Sequence, residues 1–186
     1  MSIERRRERK SVQFTIGQTV IHPHHGPATV RGFASRILKG RVIDYVDLEV
    51  LATAMSVSVP LASLADVGIR KVACPAQIAE LTAVLCADSP PAENQWSRRV
   101  KGQRIEIATG DPLRIAAVVR DLIRRREERG LSMAEKEMLT EGAQPLVAEV
   151  ALSVDTTEED ALAVLEALVT ERSNEALRRR GLLARA

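Results

Sequence analysis

Apolar and polar positions alternate through the first third of the chain. In Tyr45–Leu51, Val46, Leu48 and Val50 fall on one face and Tyr45, Asp47 and Glu49 on the other. Met55, Val57 and Val59 alternate with Ser56 and Ser58 in the same way. A period of two predicts strands with one buried face. Leu38–Arg41 (LKGR) reads as a hairpin turn between a strand ending near Ile37 and one starting near Val42. Pro60 closes the last strand, because proline cannot donate to a ladder. Four or five short strands between Phe14 and Val72 predict a small, twisted antiparallel barrel.

Near Cys74 the period lengthens. Pro75 can open a helix on which Ile78, Leu81 and Leu85 recur at helical spacing. The stretch DSPPAEN breaks it. Asp111 then supplies an N-cap, Pro112 the first helical position and Gly130 a stop. Arginines crowd the last turns, where they suit the negative end of the helix dipole. Ser132 and Glu135 form a capping box for the next helix, which Pro145, close to Gly142, should kink or break. Asp155 with Glu158 can cap a final helix through about Arg180. The predicted fold class is α+β and multidomain. A disordered basic arm (1–12) precedes a small antiparallel β-barrel domain (13–73). An all-α domain (74–186) follows, whose residues 154–186 form an additional helix and tail.

Composition refines this picture. Aromatics make up only 2 % of the 186 residues, so Val, Leu, Ile and Ala must build the core. The net charge of +2 hides a polarised distribution, with a basic middle over 94–139 and an acidic last quarter. A basic block suits a polyanion such as nucleic acid. Cys74 and Cys86 match neither a zinc-ribbon nor a redox C-x-x-C spacing and read as reduced thiols. The charged start MSIERRRERK has no apolar run of the kind a secretory signal needs, and no stretch reaches the length of a membrane span. A cytoplasmic location, away from membranes, is expected.

All three histidines lie in Gln18–Val30, QTVIHPHHGPATV. A zinc site needs three or four converging ligands. His22 precedes a proline and is therefore extended, while His24 and His25 are adjacent and should point apart. No carboxylate or cysteine lies nearby in sequence. A tight turn between strands, with Gly26 in a conformation other residues avoid, is the better reading; no metal, cofactor or catalytic residue is expected.

Trp96, the single tryptophan, stands in NQWSRRVK, where Asn94 or Gln95 starts a helix. Arg98, Arg99, Lys101 and Arg104 follow within about two turns. An indole beside cations at a helix N-terminus can hold phosphates and wedge into a base step. Alternatively, with Val100 and Ile107 on the same helix, the ring caps the helical core. The residues alone leave the two readings level.

Two blocks carry a resemblance. IGQTVIHPHHGPATV, followed by RILKG, an alternating strand and VP, resembles the N-terminal module of CarD-type bacterial transcription regulators (the CarD/CdnL family). NQWSRRVKG followed by GDPLRIAAVVRDLIRRREERGLSMAEKEML resembles the helical module, especially of actinobacterial members. The likeness covers about residues 14–153 in the right order. It implies a Tudor-like barrel docking on the RNA polymerase β subunit and a helical module on promoter DNA. A tryptophan there enters the minor groove and hinders bubble collapse. The implied protein is a monomeric, non-enzymatic regulator that stabilises the open complex. Trp96, Arg98, Arg99, Lys101, Arg124, Arg125 and Lys136 are the expected DNA contacts, with Lys101, Arg124, Arg125 and Lys136 given by match to the family motif. Arg36 falls at a basic polymerase-contact position, and Arg41 is expected to compensate for the arginine missing on the last strand. With no Asn or Gln set out for bidentate base reading, DNA binding should be largely sequence-independent and salt-sensitive. Ser58 stands where an arginine is expected, and His22 where an aromatic is usual, which marks a divergent member. A polymerase-binding adaptor or competitor without wedge activity, its acidic tail masking the basic helix, is the alternative.

Overall fold

The computed structural model describes residues 14–173 and Glu175; the arm expected at 1–12 and the chain after Glu175 lie outside the described residues. The fold is α+β. Strands β1 (Thr19–His22), β2 (Gly26–Leu38), β3 (Arg41–Val50), β4 (Ser56–Pro60) and β5 (Arg70–Lys71) form an antiparallel sheet in the order β4-β3-β2-β1-β5. Val46, Leu48, Val50 and Val59 point into its core with Val20, Ala28 and Val30, as the alternation requires. The LKGR turn forms: Leu38 pairs with Arg41, with Lys39 and Gly40 at φ 50 and 73. Two successive positive φ values suit the right-handed twist of a two-residue hairpin.

The expected barrel does not close. β4 pairs only with β3, and two-residue β5 only with β1, so both are edges of an open sheet. The long β2–β3 hairpin overshoots the core instead, past a register shift between Val30 and Gly32. Its end holds Phe33, Ile37 and Val42 in solvent.

After a 3-10 turn (Leu61–Ser63), the helices are α1 (Leu64–Val67), α2 (Pro75–Cys86), α3 (Trp96–Ala108), α4 (Pro112–Arg129), α5 (Met133–Ser153) and α6 (Glu158–Glu171). The caps fall where the residue chemistry puts them. Asp111 accepts from the N–H groups of Leu113 and Arg114, and Ser132 and Glu135 close a full capping box. At α6 the cap differs from expectation. Thr157 accepts from the Asp160 N–H, while Asp155 sits at φ 53 in the preceding turn. Ile78, Leu81, Leu85, Ile115, Val119, Leu146 and Val150 share one core with Val164, Leu165 and Leu168 of α6. The last helix is thus built into the core and is no appendage.

Pro145 neither breaks nor ends α5, which runs unbroken through it. A mid-helix proline costs about 3 kcal/mol or more, and packing offsets it here. Pro145 is buried, and Leu146, Val147 and Val150 beyond it all enter the core. Gly142 lets α5 approach α4 closely, since a Cβ there would lie 3.2 Å from Val119 Cγ2 and 3.3 Å from Ile115 Cγ2.

α5 also carries the sheet. Glu149, buried in its last third, receives Arg70 NH2 of β5 at 2.6 Å and the Ala73 N–H at 3.1 Å. Burial pushes the Glu149 carboxyl up, and Arg70 with the Ala73 N–H pulls it only part of the way back. Ser153 Oγ donates to the Ala73 carbonyl at 2.8 Å. The β1–β2 turn presses on the same side. The Gly26 Cβ position lies 3.9 Å from Pro145 Cα, and Pro23 fills a niche beside Gly68 and Gly110. The sheet is therefore fixed to the helices at two separate places. No helix among the described residues is long and apolar enough to cross a membrane.

Candidate nucleic-acid interface

Gln95 caps α3 and Trp96 is its first residue. Val100 and Ile107, one and three turns on, go into a core with Val118, Leu122 and Met138. Trp96 does not follow them. It is 52 % exposed, and its indole Nε1 donates to Ser132 Oγ at 3.4 Å. The ring is therefore not sealed in the core, and half of it is open to a partner.

The expected cations fall into two groups. Arg98, Lys101 and Lys136 are exposed and, among the described residues, join no ion pair; Arg104 behaves the same way. Arg99, Arg124 and Arg125 are spent inside the protein. Arg99 Nε and NH2 reach Glu135 Oε1 at 3.2 and 3.0 Å, and its NH1 donates to the Glu93 carbonyl at 2.8 Å. Arg125 Nε lies 3.0 Å from the same Glu135 oxygen, off the hydrogen-bonding direction. Arg124 donates to the carbonyls of Ala87, Leu85 and Val169 and to Ser89 Oγ, and so ties α2 and α6 to α4.

Glu135 is the hub of this arrangement and is only 1 % exposed. Its Oε2 accepts the Ser132 N–H at 2.9 Å and the Ser132 hydroxyl at 2.8 Å. Burial alone would raise its carboxyl. The Ser132 donors, Arg99 and Arg125 outweigh that and hold it below the usual carboxylate range. Ser132 also accepts from the indole, so one buried carboxylate is linked to Trp96 through Ser132 and directly to two arginines. The sequence signals Glu135 as a helix cap, but its service to Arg99 and Arg125 needs the packing of α3 and α4 on α5.

Between α3, α4 and the 87–95 segment lies a groove of about 1400 Å³. Trp96, Arg98 and Gln103 line one wall; Arg114, Arg125 and Arg129 lie along α4. This groove was not foreseen from the sequence.

On the sheet, Arg36 projects on the solvent face. Its NH2 donates to Ser58 Oγ at 3.0 Å and lies 3.5 Å from Asp47 Oδ1. Its guanidinium carbon stands 5.0 Å from the Tyr45 ring centroid. Ser58 in turn donates to Asp47 at 2.5 Å. Arg41 sits beside the hairpin turn, exposed and, among the described residues, in no ion pair. The serine that replaces an expected arginine therefore helps to hold the arginine that is present.

The histidine stretch is a turn, with Gly26 at φ 71. His22 Nδ1 accepts from the N–H groups of His24 and His25 at 3.2 and 3.3 Å. The His25 ring lies 4.5 Å and the His24 ring 6.1 Å from that of His22, centroid to centroid. Burial, then the charges of His25 and His24, lower His22 to about 4. Among the described residues, no group of three or more His, Cys, Asp or Glu side chains is placed to hold a metal ion.

The chain is thus a two-part α+β protein, an open sheet anchored to a helical body that carries an exposed indole. The family described as "CarD-like/TRCF RID domain" matches residues 14–73, and "CarD, C-terminal domain" matches residues 80–166. The second match reaches into α6. The chain is also 25 % identical over 145 residues to "Putative transcription factor YdeB" of Bacillus subtilis (strain 168), spanning 78 % of this chain and 95 % of that protein. The chain belongs to the CarD-type family of transcription-associated proteins.

Proposed function

We propose that the protein is a non-enzymatic transcription regulator that divides its work near Ala73. In this reading the sheet docks on the RNA polymerase β subunit through the face bearing Arg36 and Arg41. The helices meet promoter DNA through Trp96, with Arg98, Lys101 and Lys136 on phosphates. Arg99 and Arg125 brace the indole from behind through Glu135, and Arg124 holds the helices together. The indole enters the minor groove at the edge of the melted region, and the unstacked step it occupies makes closure of the bubble slower. Phosphate contacts dominate, so the affinity is salt-dependent and weakly sequence-dependent.

The observation that supports this reading best is the half-exposed Trp96 in the first turn of α3, with unpaired cations on the next two turns. The test is open-complex lifetime on a responsive promoter with competitor DNA. Trp96→Ala should shorten it while leaving polymerase binding unchanged; equal lifetimes would sink the wedge. A second reading, a polymerase-binding adaptor without wedge activity, is favoured by the engagement of Arg99, Arg124 and Arg125 within the protein. Under it the lifetimes are equal and polymerase binding persists.

A further inference from the structure

The groove beside Trp96 is not needed for contact with duplex DNA, yet its chemistry is that of a nucleotide site. At about 1400 Å³ it exceeds the ordinary size of a small-molecule pocket, roughly 300–1,000 Å³. It extends along α4 from Leu113 to Arg129, about 24 Å at 1.5 Å per residue. That shape suits a short stretch of chain better than a compact ligand.

Its charge favours a polyanion. Arg98 and Arg129 line it without ion-pair partners among the described residues. Arg124 meets carbonyls and a hydroxyl, with no carboxylate in its hydrogen bonds. Arg99 and Arg125 share the single carboxylate of Glu135. Against these, Glu128 of α4 and Glu93 line the groove in no ion pair among the described residues, while Asp121 is held by Arg120, Glu106 by Arg114 and Asp88 by Arg172. Gln103, on the α3 wall, keeps its Oε1 buried with no hydrogen-bond partner. A buried amide oxygen left unpaired is unfavourable. Rotation of that amide toward the groove offers a base edge both a donor and an acceptor. An aromatic ring, several guanidinium groups and surplus positive charge in one lining are the ingredients of single-strand binding.

We infer that the groove takes a few nucleotides of an unpaired DNA strand that leaves the duplex at Trp96. This rests on the reading that Trp96 faces DNA. It makes the protein a binder of the junction between paired and parted strands, with one surface for each.

The test uses the full chain and fluorescence anisotropy at fixed salt. Three probes share one duplex: blunt, with a short 3′ single-stranded tail, and with a short 5′ tail. One tail polarity should tighten binding about tenfold, the gain given by about 1.4 kcal/mol of base stacking. Gln103→Ala and Arg129→Gln should each remove most of that gain and leave blunt-duplex affinity unchanged, with melting curves confirming the fold. Equal affinity for all three probes overturns the groove assignment but leaves duplex contact standing. A tail gain that survives both variants places the strand elsewhere and also overturns it. Displacement of the tail by free deoxynucleotides or by a polyglutamate peptide, at concentrations that leave the blunt duplex bound, would assign the groove to those ligands instead. Failure to bind any probe removes the duplex reading and this inference together.

Discussion

The surface around Trp96 and the face around Arg36 are built from the same parts, an aromatic ring and arginines on a rigid element. They differ in what is left free. At α3 the ring is half exposed, and Arg98, Lys101 and Arg104 join no ion pair among the described residues. On the sheet, Arg36 is spread over Tyr45, Ser58 and Asp47. A partner meeting the first surface has only water and counterions to displace. One meeting the second must compete with an internal pair. The difference shows that a basic residue in a binding motif is not yet a binding residue; the carboxylates opposite it decide.

The strongest way to break the α3 surface acts from beneath it. Glu135→Ala leaves Arg99 and Arg125 facing an emptied, buried site and removes half of the capping box. Removing one partner of a buried ion pair costs about 3–5 kcal/mol, and a lost cap about another 1 kcal/mol. Urea unfolding should report a loss in that range, with Arg98→Ala within about 0.5 kcal/mol of wild type. A loss under about 1 kcal/mol for Glu135→Ala would mean that the hub does not hold the surface.

The β1–β2 turn, which packs the sheet against α5, gives the next effect. His22 is held neutral, at about 4 against 6.5 for a free histidine. The unfolded chain therefore binds more protons than the folded one between those values. Stability is full above about pH 6.5 and falls as the pH drops through the window, by about 3 kcal/mol once it is crossed. His22→Asn keeps an acceptor for the turn N–H groups and does not titrate. The variant should lose this part of the acid sensitivity while retaining the steeper carboxylate losses below about pH 4. Superimposable stability-versus-pH curves for the two proteins would show that His22 is not the source.

The sheet face can be sharpened by freeing its arginine. Arg36 and Asp47 are both partly exposed, so Asp47→Ala should change stability by less than about 1 kcal/mol. If Arg36 docks on polymerase, its release should tighten binding to the β-subunit lobe by up to about tenfold, since a charge-assisted contact is worth about 1.5–3 kcal/mol. Surface plasmon resonance with the isolated lobe measures this. An unchanged Kd takes Arg36 out of the docking site.

The features legible in the sequence are local. The alternation of Val46, Leu48 and Val50, the LKGR turn, the Asp111 cap and the Ser132–Glu135 box are each written in a few neighbouring residues, and each formed as expected. The misses share a cause. Closure of a barrel depends on whether distant β4 and β5 reach one another. The passage of α5 through Pro145 depends on what the core gains beyond it. Thr157 outcompetes Asp155 because the α5–α6 turn places Asp155 at a positive φ. For the site, the motif located Trp96 and its cations, but not which of them were free. Glu135 lies 36 residues from Arg99, a pairing no local pattern encodes.

The smallest effect tests that distinction most directly. Lys101 and Arg124 are both cations of the matched motif, yet one stands free in solvent and the other binds three carbonyls. A phosphate contact releases about one counterion, so its removal lowers the slope of log affinity against log salt by about 1. Lys101→Ala should do this on duplex DNA and change folding stability by less than about 0.5 kcal/mol. Arg124→Ala should do the reverse. It strips donors from the carbonyls of Leu85, Ala87 and Val169, costing about 1–3 kcal/mol of stability, and leaves the salt slope near that of wild type. A salt titration and a urea melt on each variant give the four numbers required. If both lower the slope equally, carbonyl-bound arginines still serve DNA, and the line drawn here between free and spent cations does not hold.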